Sequence, residues 1–172
     1  MKISAIIAEY NPFHNGHAYH ISQTRKNAQD KIIVIMSGNF VQRGEPALFD
    51  KWTRTNMALR GGADMVLELP VHSALSSSRD FARGAIAVLN GLQCIDTLSF
   101  GAETADLALL NEIASVLESQ PADYRKVLTQ TLQSGCSYPK AQHTAIAHVM
   151  GPFYGDILSL PNNILAIEYL RA

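Results

Sequence analysis

The chain has 172 residues, 47% of them hydrophobic and 17% charged, and its formal net charge at pH 7 is −1. That size allows a sizeable core, and the charge balance argues against a free-standing nucleic-acid-binding module, which usually has a basic excess. No apolar stretch approaches the roughly 20 residues of a membrane span. Cys94 and Cys136 form neither a metal-type spacing nor a disulfide framework. We therefore expect a cytoplasmic protein without a membrane anchor.

Apolar runs typical of buried strands alternate with segments of helical periodicity in the first hundred residues. The sequence predicts strands at 3–8, 32–36, 65–69 and 97–100, and helices at 17–28, 50–60 and 81–89. This alternation indicates a parallel sheet with right-handed crossovers. The uniformly apolar strands are typical of a sheet that is buried on both faces.

The pattern becomes helical after residue 103. Thr104 is a candidate N-cap, and helices are predicted at 107–117, 122–132 and 140–150, the last ended by Gly151-Pro152. A further helix opens at 162 and its pattern runs to residue 172, so we interpret the sequence as truncated. We expect two parts, an α/β core at 1–103 and a helical extension at 104–172.

The first strand passes into the first helix through a bend that carries two histidines. Asn11-Pro12 ends the strand, because proline lacks an amide proton and favours an extended predecessor. A helix N-terminus that follows a strand is a usual place to bind phosphate. Gly16 would let a triphosphate approach the backbone, and His14 and His17 could donate hydrogen bonds to its charge.

The segment Pro12-Phe13-His14-Asn15-Gly16-His17 resembles the signature of the HIGH-motif nucleotidyltransferases. Five blocks in order, at 8–17, 36–47, 67–70, 100–103 and 161–165, are similar to the bacterial tRNA(Met) cytidine acetate ligases. The resemblance covers essentially the whole chain. It implies a HUP-type Rossmann-like α/β fold with a nucleotide-binding core and a helical C-terminal extension.

The resemblance also implies a reaction. Acetate would attack the α-phosphate of ATP to give acetyl-adenylate and pyrophosphate, and the acetyl group would pass to N4 of the wobble cytidine of elongator tRNA(Met). Mg²⁺ would bridge phosphate oxygens, and no residue is predicted to be a metal ligand. His14 and His17 are the predicted catalytic residues. The predicted ATP contacts are Ile7, Ala8, Glu9, Tyr10, Asn11, Pro12, Phe13, His14, Asn15, Gly16, His17, His20, Gly101 and Asn162.

A second group of polar residues follows the second predicted strand. Ligands in open α/β sheets bind outside the carboxyl ends of strands, so these residues could line a substrate pocket or contact RNA. They are Ser37, Gly38, Asn39, Arg43, Lys51 and Arg54. The alternative for Ser37 to Asn39 is an ordinary βα turn, and the alternative for the basic residues is a solvated helix face.

Two other functions stay open at this point. A small-molecule adenylyltransferase of cofactor synthesis would share the His-x-Gly-His motif but would make a dinucleotide. A non-catalytic nucleotide-binding or RNA-binding domain would bind ATP without releasing pyrophosphate. The identity of the product made from ATP separates the three hypotheses.

Overall fold

The structure of the protein is a computed structural model that describes residues 1–42 and 44–172. It divides into two compact units, Met1–Gly101 and Ala102–Ala172. No helix among the described residues is long and apolar enough to cross a membrane.

The first unit is a parallel sheet whose strands alternate with helices. Its elements are β1 (Ile3–Ala8), α1 (Asn15–Thr24), β2 (Lys31–Ser37), α2 (Lys51–Arg60), β3 (Met65–Leu69), α3 (Val71–Ala74), α4 (Ser78–Leu92) and β4 (Thr97–Ser99). The strand order is β3-β2-β1-β4, with every pairing parallel. The predicted α/β fold is confirmed.

The strand order reverses at β1. The chain proceeds from β1 through β2 to β3 on one side, then returns to place β4 against the other edge of β1. Such a switch point opens a crevice outside the carboxyl ends of the two diverging strands, where α/β proteins bind ligands. The turn that follows β1 therefore lies where a ligand site is expected.

One face of the sheet packs against α1 and α2. Alternate residues of β2, from Ile32 through Val34 to Met36, join Ile21 of α1 and Ala58 of α2 in one buried cluster. Burial of such side chains contributes about 1.5–3 kcal/mol each, so this cluster fixes both helices on the sheet. Both helices begin at the carboxyl edge of the sheet.

Aspartates hold the opposite, amino-terminal edge of the sheet in a repeated pattern. Asp30, Asp64 and Asp96 each directly precede a strand and accept a hydrogen bond from a backbone N–H at the start of the neighbouring strand. The acceptor distances are 2.9 Å from Lys2, 2.8 Å from Ile32 and 2.8 Å from Ile3, respectively. Each carboxylate thus fixes the register of one strand pair.

The second unit is helical. It contains α5 (Leu107–Ser119), α6 (Ala122–Gln133), α7 (Tyr138–Met150), α8 (Pro152–Leu158) and α9 (Pro161–Arg171). α5 packs against α9, α6 against α7, and α7 against α8. Gly151 adopts a φ of +110° between α7 and α8, a conformation that favours glycine.

The differences from the sequence predictions lie at helix ends and in short helices. α1 begins two residues earlier than predicted because His14 is its N-cap. Thr104 is not a cap: Asp106 caps α5, while Thr104 bonds to the side chain of Asn163. The short helices α3 and α8 had no prediction, because four to seven residues show too little periodicity.

Candidate active site

The turn after β1 is held by its own backbone and aromatic side chains. Tyr10 has a φ of +48° and is buried, and the Asn11–Pro12 peptide bond is cis. The Tyr10 ring lies 4.9 Å from that of Phe13 and 4.7 Å from that of His17. Burial raises the pKa of the Tyr10 hydroxyl, so this ring stays neutral and acts as a wall.

His14 and His17 form a reciprocal cap at the start of α1. The Nδ1 atom of His14 accepts from the backbone N–H of Gly16 at 3.1 Å, and Nδ1 of His17 accepts from the backbone N–H of His14 at 3.2 Å. The two rings stack at 3.7 Å between centroids. A nitrogen that accepts a hydrogen bond carries no proton, so each neutral ring carries its proton on Nε2.

The protonation state of His17 is set by its surroundings. Burial, followed by the charges of His14 and His20, lowers the pKa of His17 to about 4. His17 is therefore neutral near pH 7. A neutral imidazole with its proton on Nε2 is a hydrogen-bond donor without a net charge.

Gly16 is required by the histidine cap itself. A Cβ atom on Gly16 would lie 2.9 Å from Cε1 and 3.1 Å from Nδ1 of His14. From the sequence we predict that this glycine lets phosphate approach the backbone. In the structure, any side chain at this position would also displace the His14 ring.

His20 connects α1 to the end of β4. Its Nε2 atom lies 2.9 Å from Oγ of Ser99, which also bonds to Oγ1 of Thr24 at 2.8 Å. Burial lowers the pKa of His20. His20 belongs to α1, the helix that follows β1, and Ser99 is the last residue of β4. Their contact therefore links the two strands that diverge at the switch point. Sequence reasoning missed Ser99, since nothing in the local pattern distinguishes it from other serines.

Gly101 follows β4 at the same edge and is exposed. A Cβ atom added to Gly101 would meet no atom within 4 Å. The space beside this glycine is therefore open in the first unit. Its predicted contact with ATP stays a prediction.

The predicted ATP contacts Glu9 and Asn11 hold the loop that follows β2. Oε1 of Glu9 accepts from the backbone N–H of Gln42 at 2.6 Å, and Oδ1 of Asn11 accepts from that of Leu48 at 2.7 Å. Two neighbouring loops at the carboxyl edge are thus tied together. These two side chains position the loops, which the sequence did not reveal.

Arg54 requires a correction. The sequence placed it in a substrate pocket or against RNA, but its side chain is 0% exposed. Its Nε donates to the carbonyl of Phe49 at 3.0 Å, and its NH₂ groups donate to the carbonyls of Glu9, Ser37 and Gly38. Arg54 therefore acts as a buried clamp on the ends of β1 and β2, because its rigid guanidinium offers five donors. Arg43 lies outside the described residues.

Lys51 and Gly38 line a cavity of about 240 Å³ beside α2, together with Met36, Ser37, Trp52, Thr55, Val66, Leu67 and Glu68. Nζ of Lys51 pairs with Oε2 of Glu68 at 2.6 Å. Asn39 belongs to the loop after β2 and contacts the first residue of α2, where its Oδ1 accepts from the backbone N–H of Lys51 at 3.1 Å. The sequence analysis missed Glu68 and Trp52. The sequence feature that could have indicated Glu68 is its position as an acid inside the apolar run at 65–69.

Asn162 lies in the second unit at the start of α9. Its Nδ2 donates to Oε1 of Glu103 at 3.0 Å, and the Glu103 carboxylate also accepts from the backbone N–H groups of Asn162 and Asn163. Glu103 thereby fixes the orientation of the Asn162 amide, with Nδ2 towards the carboxylate. The predicted contact between Asn162 and ATP stays a prediction.

The described residues contain no group of three or more His, Cys, Asp or Glu side chains arranged to hold a metal ion.

Comparisons with known proteins relate the whole chain to one family. The family model described as HIGH Nucleotidyl Transferase matches residues 1–172. A tRNA(Met) cytidine acetate ligase of Acetivibrio thermocellus is 46% identical over 177 residues, which cover 100% of this chain and 42% of the relative. The ligase of the same name from Thermoanaerobacter sp. (strain X514) is 49% identical over 174 residues and is covered to 43%.

Solved structures give the same result. Thermotoga maritima TmcAL bound with alpha-thio ATP (form II) matches with a TM-score of 0.92 and 40% identity, over 99% of this chain and 43% of that one. The apo form I of the same protein matches with a TM-score of 0.93. The chain thus spans less than half the length of the relatives that it matches. The resemblance carried by the five sequence blocks is confirmed.

Proposed function

We propose, because this chain belongs to the HIGH nucleotidyl transferase family, that it is the ATP-binding part of a ligase that acetylates tRNA. The ligase would activate acetate with ATP and pass the acetyl group to N4 of the wobble cytidine of elongator tRNA(Met). The observation that carries this proposal is the His14–His17 cap, which aligns two Nε2–H donors at the switch point of the sheet. The names of the relatives supply the substrate.

ATP fits the turn after β1 on physical grounds. The site combines the N-terminus of α1 with two imidazoles and lacks an acidic side chain in the first helical turn. Anionic phosphates are stabilised at such a position by the helix dipole and by N–H donors. The solved relative that binds alpha-thio ATP supports the same ligand.

The chemistry needs donors more than it needs a covalent nucleophile. An acetate oxygen attacks the α-phosphorus, the bond to the β-phosphate bridging oxygen breaks, and pyrophosphate leaves. Charge on the phosphate oxygens is redistributed in the transition state, where oriented donors are most effective. His17 is neutral near pH 7 because its pKa is about 4, so it donates a hydrogen bond rather than a proton.

Mg²⁺ is proposed to enter with the nucleotide. Magnesium commonly retains waters and binds substrate phosphates rather than an all-protein cage. The ion would supply charge neutralisation on the triphosphate. We propose a cytoplasmic location, because that is where a tRNA-modifying enzyme would meet its substrate.

The cofactor adenylyltransferase is less favoured, because the relatives that cover the whole chain are named acetate ligases. The test uses a protein of the relatives' length that contains this sequence. With ATP, Mg²⁺ and acetate it should form acetyl-adenylate and pyrophosphate, and with tRNA(Met) it should form N4-acetylcytidine, both detected by mass spectrometry. A dinucleotide product, or ATP binding without pyrophosphate release, would contradict the proposal.

A further inference from the structure

A cavity of about 240 Å³ lies at the carboxyl ends of β2 and β3, against the first turn of α2. Its apolar wall comes from Met36, Val66 and Leu67, and its polar wall from Lys51 and Glu68. The histidine turn follows β1, the neighbouring strand. Adjacent strands lie about 4.8 Å apart, so the cavity and the histidine turn occupy neighbouring positions on one edge of the sheet.

A donor and an acceptor are fixed side by side in this cavity. Nζ of Lys51 lies 2.6 Å from Oε2 of Glu68, and both side chains remain partly exposed, at 28% and 49%. Oε1 of Glu68 lies so close to Gly38 that a Cβ there would be 2.2 Å away. Because the two charges neutralise each other, the cavity lacks the net positive charge that a carboxylate such as acetate would need.

Trp52 gives the cavity a flat aromatic wall. Its side chain is 73% exposed, and the Lys51 ammonium lies 5.4 Å from the centroid of its ring. Leu48 and Phe49, directly before α2, are also exposed. Exposed aromatic rings beside a cation are typical of sites that stack unpaired nucleobases.

We propose that this cavity receives the unstacked cytosine base that the enzyme acetylates. Glu68 accepts a hydrogen bond from the N4 amino group, Lys51 donates to N3, and Trp52 stacks on the ring. Uracil presents an acceptor at position 4 and a donor at position 3. Its O4 would face the Glu68 acceptor and its N3–H would face the Lys51 donor, so both contacts would be unfavourable. The assignment rests on the proposed function, because cytidine is the acetyl acceptor in that reaction.

Arg54 places the base next to the reacting phosphate. It follows Lys51 by one helical turn, and its guanidinium holds the carbonyl of Glu9, at the start of the histidine turn, together with those of Ser37 and Gly38, at the cavity wall. A base in the cavity therefore lies beside the turn where acetyl-adenylate forms.

The chain offers a direct probe, because Trp52 is its single tryptophan. The experiment titrates the chain, at low salt, with synthetic RNA hairpins that carry cytidine, uridine or an abasic residue at one loop position. We expect the cytidine hairpin to quench the fluorescence of Trp52, and uridine to require about 5- to 150-fold more RNA, as for one bidentate base contact. Glu68→Gln should remove this preference, because an amide can donate or accept. Leu59→Ala, at an exposed position of α2, the helix that carries Trp52, should keep it.

Identical titrations with all three hairpins would overturn the assignment. Quenching by sodium acetate alone, with competition against the RNA, would also overturn it by placing the carboxylate substrate there. Acetyl-adenylate formation, measured without RNA in the longer protein, tests the proposed function separately. Adenylate formation without base discrimination would reject the cavity assignment alone, and discrimination without adenylate would reject the ligase reaction alone.

Discussion

The turn after β1 and the segment after β2 end neighbouring strands, yet they are built by different means. The β1 turn is held by contacts between residues two to seven positions apart, such as the reciprocal bonds of His14, Gly16 and His17 and the ring contact of Tyr10 with His17. The β2 segment depends on distant partners, since Lys51 meets Glu68 of β3 and Gln42 meets Glu9, which directly follows β1. A local motif can therefore carry much of its own geometry, whereas the second site exists only after the sheet has formed.

The largest expected effect breaks the local motif. In the longer protein, His17→Ala should lower the rate of acetyl-adenylate formation about 100- to 1,000-fold, the usual cost of losing one donor to transition-state charge. ATP affinity should fall far less. Rapid-quench kinetics and calorimetric titration measure the two quantities. His72→Ala, at an exposed histidine of α3, is the control, and an equal loss in both variants would remove His17 from the chemistry.

A second prediction breaks the long-range assembly. Arg54→Met should lower the free energy of unfolding by about 3 kcal/mol, because several buried carbonyls lose their partner. Urea denaturation gives this value. Arg60→Met, at the exposed end of the same helix, should change it by less than about 0.5 kcal/mol. Similar losses for the two arginines would show that the clamp contributes little.

The variant Gly16→Ala tests the geometry of the β1 turn alone. The added Cβ displaces the His14 ring, so ATP affinity should fall about tenfold, the worth of one charge-assisted hydrogen bond. Stability should change by less than about 1 kcal/mol, because the loss of the His14 cap and the higher helix propensity of alanine oppose each other. Gly91→Ala in α4, where a Cβ meets nothing within 4 Å, is the matched control. Calorimetric titration showing unchanged affinity would exclude a role for the His14 position.

Acid should weaken the histidine turn within a defined pH window. The folded-state pKa of His17 is lowered to about 4, against 6.5 for the unfolded chain, so the unfolded state binds more protons between these values. The stability that His17 contributes is therefore complete above pH 6.5 and is lost as the pH falls towards 4. Unfolding midpoints measured from pH 7 to 4 should decline more in the wild type than in His17→Gln, which can keep the cap. Parallel curves would contradict the assignment.

The smallest expected effect concerns Gly38. The three atoms nearest to a Cβ at this position all belong to the flexible side chain of Glu68, so Gly38→Ala should move the carboxylate and weaken its pair with Lys51. A partly exposed pair contributes about 0–1 kcal/mol, so the unfolding free energy should change little. Preference for a cytidine hairpin, followed by the fluorescence of Trp52, should nevertheless fall. Retention of the full preference would show that the Glu68 position is not critical.

The sequence predicted the strands well, because each is a short, mostly apolar run between helical segments. It indicated the histidine turn because motif, bend and helix start are adjacent in the chain. It assigned Arg54 to a surface, since the spacing from Lys51 indicates a shared helix face but not burial. It missed Glu68 and Ser99 because their importance arises from partners 17 and 79 residues away. Position in the chain reveals a site only when its partners are sequence neighbours.

The aspartates at the amino-terminal edge of the sheet have a consequence for how this fold can change. A slip of one residue in a parallel pair would turn every side chain of a strand to the opposite face. Asp30, Asp64 and Asp96 prevent such slips from the edge that lies farthest from the histidine turn. Alignment of the strands is therefore also fixed from the edge opposite the substrate loops. Those loops are free to be lengthened, exchanged or grafted for new substrates while the sheet beneath them keeps its register.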